Sequence, residues 1–324
     1  MNKTLLAPRT LTQAIKYFAN QDIALTFVAG LRWPEGVACP HCGGADPSYL
    51  TTRRIWKCKA CRKQFSVKVG TIFEDSPIPL SKWLPALWML ANCKNGISSY
   101  ELARALGVTQ KSAWFMLHRI RLAMQSKTFA KMTGEVEVDE TYIGGRARFM
   151  SPAKKVRVLK GRKGGMTGKT AVMGLLSRDE RKGLSQVRVN VPETARIHRG
   201  QARTFVRERV EDGATLYSDQ HKSYVQMRKW YVHNVIDHGV AYAKGKIHIN
   251  GLENFWSLLK RGIRGTYVSV EPFHLFRYLD EQVHRFNNRK TSDVARFIDT
   301  VRAIVGKRLT YANLIGANLE PATT

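Results

Sequence analysis

Apolar and polar positions alternate strictly along 134–145, GEVEVDETYIGG. Val136 and Val138 face one way, and Glu135, Glu137 and Asp139 face the other, as in a half-buried strand. Residues 169–178 and 184–192 read as two more strands. The helical stretch 203–212 follows, then a short strand at 214–219, a helix-like HKSYVQMRKWY and a strand at 231–238. Within NGLENFWSLLKRG, residues 250–262, Leu252, Phe255, Trp256 and Leu259 recur at helical spacing. Glu253 and Lys260 lie seven residues apart, near one face of that helix.

Earlier in the chain the pattern is helical. Residues 80–95 form an apolar periodic run with Ser81 as the expected N-cap. Ser98 or Ser99 caps a helix ending near Leu106, Gly107 and Val108 make a turn, and Thr109 caps a helix from Gln110 to about Met124. Two short helices around a glycine turn predict a helix-turn-helix. The second helix carries Lys111, His118, Arg119 and Arg121, and its expected base-reading positions are Gln110, Lys111, Ser112 and Trp114.

Four of the five cysteines form CPHC and CKAC: Cys39, Cys42, Cys58 and Cys61. This spacing predicts a zinc ribbon with one structural Zn2+, closed by four protein ligands and so without an open position for chemistry. Gly43 and Gly44 suit the tight turn after the first pair. His41 is read as a bystander and Cys93 as a small buried residue.

Three strands, helix, strand, helix, strand, helix is the order of the ribonuclease H-like fold. The expected fold class is multi-domain α+β: a zinc ribbon and helix-turn-helix, then an α/β ribonuclease H-like catalytic domain with a mixed sheet. The expected domains are an N-terminal helical segment (1–35), the ribbon (36–75), the helix-turn-helix (76–130), the catalytic domain (131–270) and a C-terminal helical segment (271–324). In that fold Asp139 lies on the first strand, Asp219 at the end of the fourth and Glu253 on the helix after the fifth. Three carboxylates are the donor set that two Mg2+ ions (or Mn2+) per active site require.

Charge then enlarges the picture. There are 53 Lys and Arg against 25 Asp and Glu, a net +28 carried by both halves of the chain. Such a surface attracts polyanions, and double-stranded DNA is the expected partner. Residues 144–170 hold nine Lys or Arg and no acid, including Arg146, Arg148, Lys154 and Lys155. They read as a loosely ordered clamp for the DNA backbone. Arg261 and Arg264 extend the basic edge of Lys260, and Arg285 and Arg289 in RFNNR are expected to combine packing with phosphate contacts. MTGKT is not a phosphate loop, because Lys163 stands where the pattern needs glycine and the strand follows rather than precedes it, so no nucleotide cofactor is expected. The longest apolar stretch, 83–91, is too short to span a bilayer, and the N-terminus has no apolar signal segment. A soluble cytoplasmic, nucleoid-associated protein of a bacterium is expected, with no membrane partner.

The CPHC…CKAC ribbon, VDETYIGG, LYSD, HINGLENFWSLLKRGIRGTY and RYLDEQVHRFNNR together resemble the zinc-ribbon DDE insertion-sequence transposases of the bacterial Merlin-related group (the ISXO-like DDE domain), in order over about residues 15–290. The resemblance implies an enzyme that binds its element's ends, cuts there and joins the freed 3′-hydroxyls to target DNA, acting as a homodimer or higher oligomer. It implies Asp139, Asp219 and Glu253 as the Mg2+-binding catalytic triad and Lys260 as the accompanying lysine. Some members carry asparagine as the third ligand, so Asn250, one turn before Glu253, is the alternative; an ionised carboxylate binds a hard cation better. Two rival functions use the same residues: a non-catalytic DNA-binding regulator and a structure-specific nuclease.

Overall fold

The computed structural model describes residues 7–125, 130–145, 149–159, 167–179, 184–192, 197–219, 222–236 and 248–317. The chain divides into two units, 1–125 with 291–324, and 126–290.

The first unit opens with α1 (Leu11–Phe18) and α2 (Gln21–Arg32), capped by the Thr10 and Asn20 side chains. A three-stranded antiparallel sheet follows: β1 (Ser48–Leu50), β2 (Ile55–Lys57) and β3 (Gln64–Phe65). Next come α3 (Leu80–Asn92), α4 (Ser99–Leu106) and α5 (Gln110–Met124). Helix α3 is apolar on nearly every side, and it is buried accordingly. Its N-cap is Pro79, not the expected Ser81, which lies within the first turn and makes no cap. Ser98 caps α4 in a reciprocal capping box with Glu101, Gly107 ends it at φ +59°, and Thr109 caps α5.

The second unit contains β4 (Glu135–Ile143), α6 (Pro152–Leu159), β5 (Thr170–Ser177), β6 (Gln186–Asn190), α7 (Arg199–Arg209), β7 (Thr215–Asp219), β8 (Val232–Ile236), α8 (Asn250–Gly262) and α9 (Leu275–Asn287). The segment Lys222–Lys229, expected as an ordinary helix, winds as a tighter 3-10 helix. The basic connection expected to be loose contains α6. Five strands run in the order β6-β5-β4-β7-β8, antiparallel from β6 to β4 and parallel from β4 to β8. Successive side chains point to opposite faces, and the continuous apolar run of β5 supplies apolar residues to both. Val136, Val138, Met173 and Leu175 pack with Phe205 and Val206 of α7. Val172 and Leu176 pack with Leu252, Phe255 and Trp256 of α8 and with Leu279 of α9.

The chain then returns to the first unit as α10 (Asp293–Arg302) and α11 (Tyr311–Ile315). The boundaries expected at 35/36, 75/76 and 270/271 therefore do not separate cores. Cys39, Trp56 and Phe65 of the ribbon share one core with α1–α5 and with Phe297 of α10. The expected C-terminal segment is split, because α9 covers the second unit's sheet.

Candidate active site and metal centre

The ribbon builds its site from two similar knuckles. In each, the residue after the second cysteine takes a left-handed conformation: Gly43 at φ +75° and Arg62 at φ +60°. The Cys39 N–H donates to the Gly44 carbonyl at 2.9 Å, and the Cys58 N–H donates to that of Lys63 at 2.9 Å. Backbone N–H groups of His41 and Cys61 point at the sulfurs of Cys39 and Cys58, at 3.4 and 3.5 Å. The Cys61 N–H is the main reason the Cys58 thiol is lowered to about 7, against the effect of burial. A Cβ on Gly44 would lie 3.3 Å from the Cys58 sulfur, so glycine lets the backbone pass close to the thiols. All four sulfurs lie within 4.8 Å of one another, the arrangement a tetrahedral metal needs.

The carboxylate cleft forms where two parallel strands part. Backbone pairing between β4 and β7 runs to Glu137 beside Tyr217. Asp139 and Asp219 each lie two residues further on, on the same side of neighbouring strands. Asp139 is largely buried, and its carboxyl is raised to about 7. Burial is the main cause, and the charges of Asp219 and Glu140 add to it, while the Glu140 and Trp256 N–H groups oppose it. The Trp256 indole donates to Asp139 Oδ2 at 2.9 Å, so α8 is bonded to the carboxylate itself. Glycine makes this possible: Gly174 pairs with Asp139 across β4/β5, and a Cβ there would meet the Trp256 ring at 2.6 Å.

Glu253, Lys260, Arg261 and Arg264 of α8 and its extension line the same cleft as Asp139 and Glu140, a space of about 540 Å³. Lys260 has its pKa lowered, chiefly by burial and then by Arg264, with Asp139 pulling the other way. Asn250 is exposed and is not among the residues lining the cleft. Asp219 does not line it either, although its charge acts on Asp139. Among the described residues only the cysteines bring three or more metal-binding atoms within 4.8 Å of one another. The charges of Asp219 and Glu140 nevertheless act on Asp139 where β7 ends beside the middle of β4. Carboxylate oxygens are a donor chemistry suited to a hard divalent cation.

Periodicity alone does not show the clamp behind this cleft. Glu137, buried on the same face as Asp139, accepts the Leu252 N–H at 2.8 Å and the Arg178 Nε–H at 2.8 Å. Arg178 also donates to the His248 carbonyl and stacks over Tyr217 at 4.0 Å. Glu137 thereby ties the first turn of α8, one residue before Glu253, to the strand that carries Asp139. A second missed link is Tyr224, fully buried, which donates to Glu140 Oε2 at 2.7 Å. The available signal was an acid at an inward strand position, where a buried charge demands partners.

The remaining expected contacts divide. Gln110 donates to Ser99 Oγ at 2.8 Å, tying α5 to α4, and the Ser112 N–H donates to the capping Thr109 Oγ1. Lys111 is exposed, with its ammonium 4.9 Å from the Tyr311 ring, while Trp114 is half-buried against His118. Arg119 does not face solvent. It is buried and donates to the carbonyls of Ile72, Glu74 and Leu309, so it joins three segments of the first unit instead of reaching for DNA. Arg285 is buried against Glu281 and Gln282, and Arg289 donates to Ser185 and Phe286 carbonyls, so both serve packing. Arg261 and Arg264 are exposed. Lys154 and Lys155 lie on α6, and Arg146 and Arg148 lie outside the described residues.

Comparison with known proteins matches residues 131–287 to the ISXO2-like transposase domain and residues 19–64 to the transposase zinc-ribbon domain. The chain is 26% identical over 273 residues to "Uncharacterized protein in transposable element ISH50" of Halobacterium salinarum, which spans 82% of this chain and 90% of that relative. It is 31% identical over 102 residues to an "Uncharacterized transposase-like protein" of Haemophilus influenzae, 31% of this chain and 80% of that one. The carboxylate cleft falls inside the first matched region and the four cysteines inside the second, and the chain belongs to the ISXO2-like transposase family.

Proposed function

We propose that the protein is a DNA transposase that binds the ends of its insertion sequence, cleaves there and joins the 3′-hydroxyl ends to target DNA. The observation that carries this reading is the meeting of Asp139, Glu253 and Lys260 in one cleft, with Asp219 beside Asp139 on the parallel strand. The strand order β6-β5-β4-β7-β8 supports a ribonuclease H-like catalytic domain, and the α4–α5 pair supports a helix-turn-helix. Glu253 is the better third ligand, because it lines the cleft and Asn250 does not.

Asp139, Asp219 and Glu253 would hold Mg2+, which when bound neutralises phosphate charge and activates the attacking oxygen. The chain's own residues do the positioning. Trp256 fixes the Asp139 carboxylate, Glu137 and Arg178 fix α8, and Lys260 and Arg264 hold the phosphate backbone of the strand being cut. Four cysteines would hold one structural Zn2+ in the ribbon, and the net +28 supplies the salt-sensitive attraction to duplex DNA.

The test is incubation with duplexes carrying the element's own ends in Mg2+. Both cleavage and strand-transfer products are expected. Cleavage of branched DNA without any joined product would favour a nuclease, and end binding without cleavage would favour a regulator.

A further inference from the structure

A second hollow, of about 550 Å³, opens next to the carboxylate cleft. The two share Lys260 and Arg264, which line both spaces. These cations lie four residues apart, about 6 Å along the helical direction. Beyond them the chemistry changes. Ile143 and Leu275 give apolar walls, the Phe149 ring is 74% exposed, and Glu271 offers a carboxylate acceptor. Apolar surface around an exposed aromatic ring selects a flat, weakly polar ligand. Two cations at the entrance select an anion. A nucleotide carries both parts, with the phosphate outside and the base within.

The place of the hollow beside the cleft narrows the occupant further. A base pair is tethered to both strands and stays in the duplex, whereas one base turned out of its stack can enter a hollow beside the cleft. We propose that the hollow takes one unpaired nucleobase of the strand being cut, adjacent to the phosphate in the carboxylate cleft. Lys260 and Arg264 then hold the backbone on either side of the turned-out nucleotide, and Phe149 stacks on its base. Holding the base out bends the strand at the cleavage site and fixes the phosphate against Asp139 and Glu253. This inference rests on the transposase reading and adds a base-binding site to it.

The test uses the full-length protein and duplexes of the element's end, with 2-aminopurine placed in turn at each position flanking the cut. Fluorescence is read in Ca2+ and cleavage in Mg2+. One position is expected to change its emission several-fold on binding to the wild type. Phe149→Ala, with its folding checked by thermal melting, is expected to abolish that change and slow cleavage about tenfold, while Phe149→Trp retains both. An abasic site at the responding position is expected to bring Phe149→Ala back to within about twofold of the wild type, because no base then needs a pocket. Efficient wild-type cleavage with no responding position, or a response that survives Phe149→Ala, would overturn the base site and leave the transposase reading standing. A wild type that binds the ends but never cleaves would overturn both.

Discussion

Asp139 is held under opposing demands. Burial and two neighbouring carboxylates raise its pKa to about 7, while the Glu140 and Trp256 N–H groups favour the ionised form. An acid whose folded pKa lies above its unfolded value binds its proton more tightly in the native state. The unfolded chain therefore sheds that proton first as pH rises past about 4. Stability contributed at low pH is lost between there and about 7 and stays lost above it. Thermal melting of the Mg2+-free protein should show this decline, Asp139→Asn should flatten it, and Mg2+ should restore the wild type, not the variant, at pH 8. In catalysis, Asp139→Asn, Asp219→Asn and Glu253→Gln are each expected to lower cleavage by at least about a thousandfold with end binding intact. Near-wild-type strand transfer in Mg2+ by one of them would remove that residue from the triad, and Asn250→Ala should remain active.

Helix α8 shows how an element is aimed. Its apolar stripe seats it on the sheet, but a stripe alone permits rotation and sliding. Glu137 removes that freedom by accepting the Leu252 N–H, and Gly251 lets it approach, since a Cβ there would come within 2.9 Å of Glu137 Oε2. Glu137→Ala leaves Arg178 without its closest carboxylate and is expected to cost about 3–5 kcal/mol in chemical denaturation. Helix α5 behaves differently from its sequence pattern. The same spacing from which a DNA-reading helix is expected buries Met116, Leu117, His118, Arg119, Ile120 and Arg121. Only its first turn, with exposed Lys111, retains an open face. Arg119→Ala should therefore destabilise the first unit, with its melting temperature falling and the sequence preference of the remaining folded protein unchanged.

Across the whole molecule, the ribbon is not an appendage. Its Trp56 and Phe65 join the core that also contains Phe18, Trp88 and Phe297. Metal analysis is expected to find one zinc per chain, and Cys58→Ser should unfold the first unit cooperatively instead of loosening one hairpin. Net charge acts at the same scale: affinity for end DNA should fall steeply between 50 and 200 mM salt, by about a thousandfold or more if six or more phosphates are neutralised. A salt-independent affinity would argue against phosphate contacts as the main attraction.

Local periodicity carried most of the elements. Sequence alone placed β4, β5, β7, α4, α5 and α8 to within a few residues, because alternation and helical spacing are written in neighbouring positions. It also placed the cysteine ligands, because a knuckle is closed by residues three apart. Three things required the tertiary structure. Whether Arg119 and Arg285 meet solvent depends on carbonyls and carboxylates brought to them by folding. The link of Glu137 to Leu252 spans 115 residues, and no local pattern encodes it. The return of α10 and α11 to the first unit joins chain ends that the sequence separates. Sequence fixes which faces are apolar and where charge is abundant; only packing decides which polar groups lose their water and must find partners, and those partners aim the carboxylates.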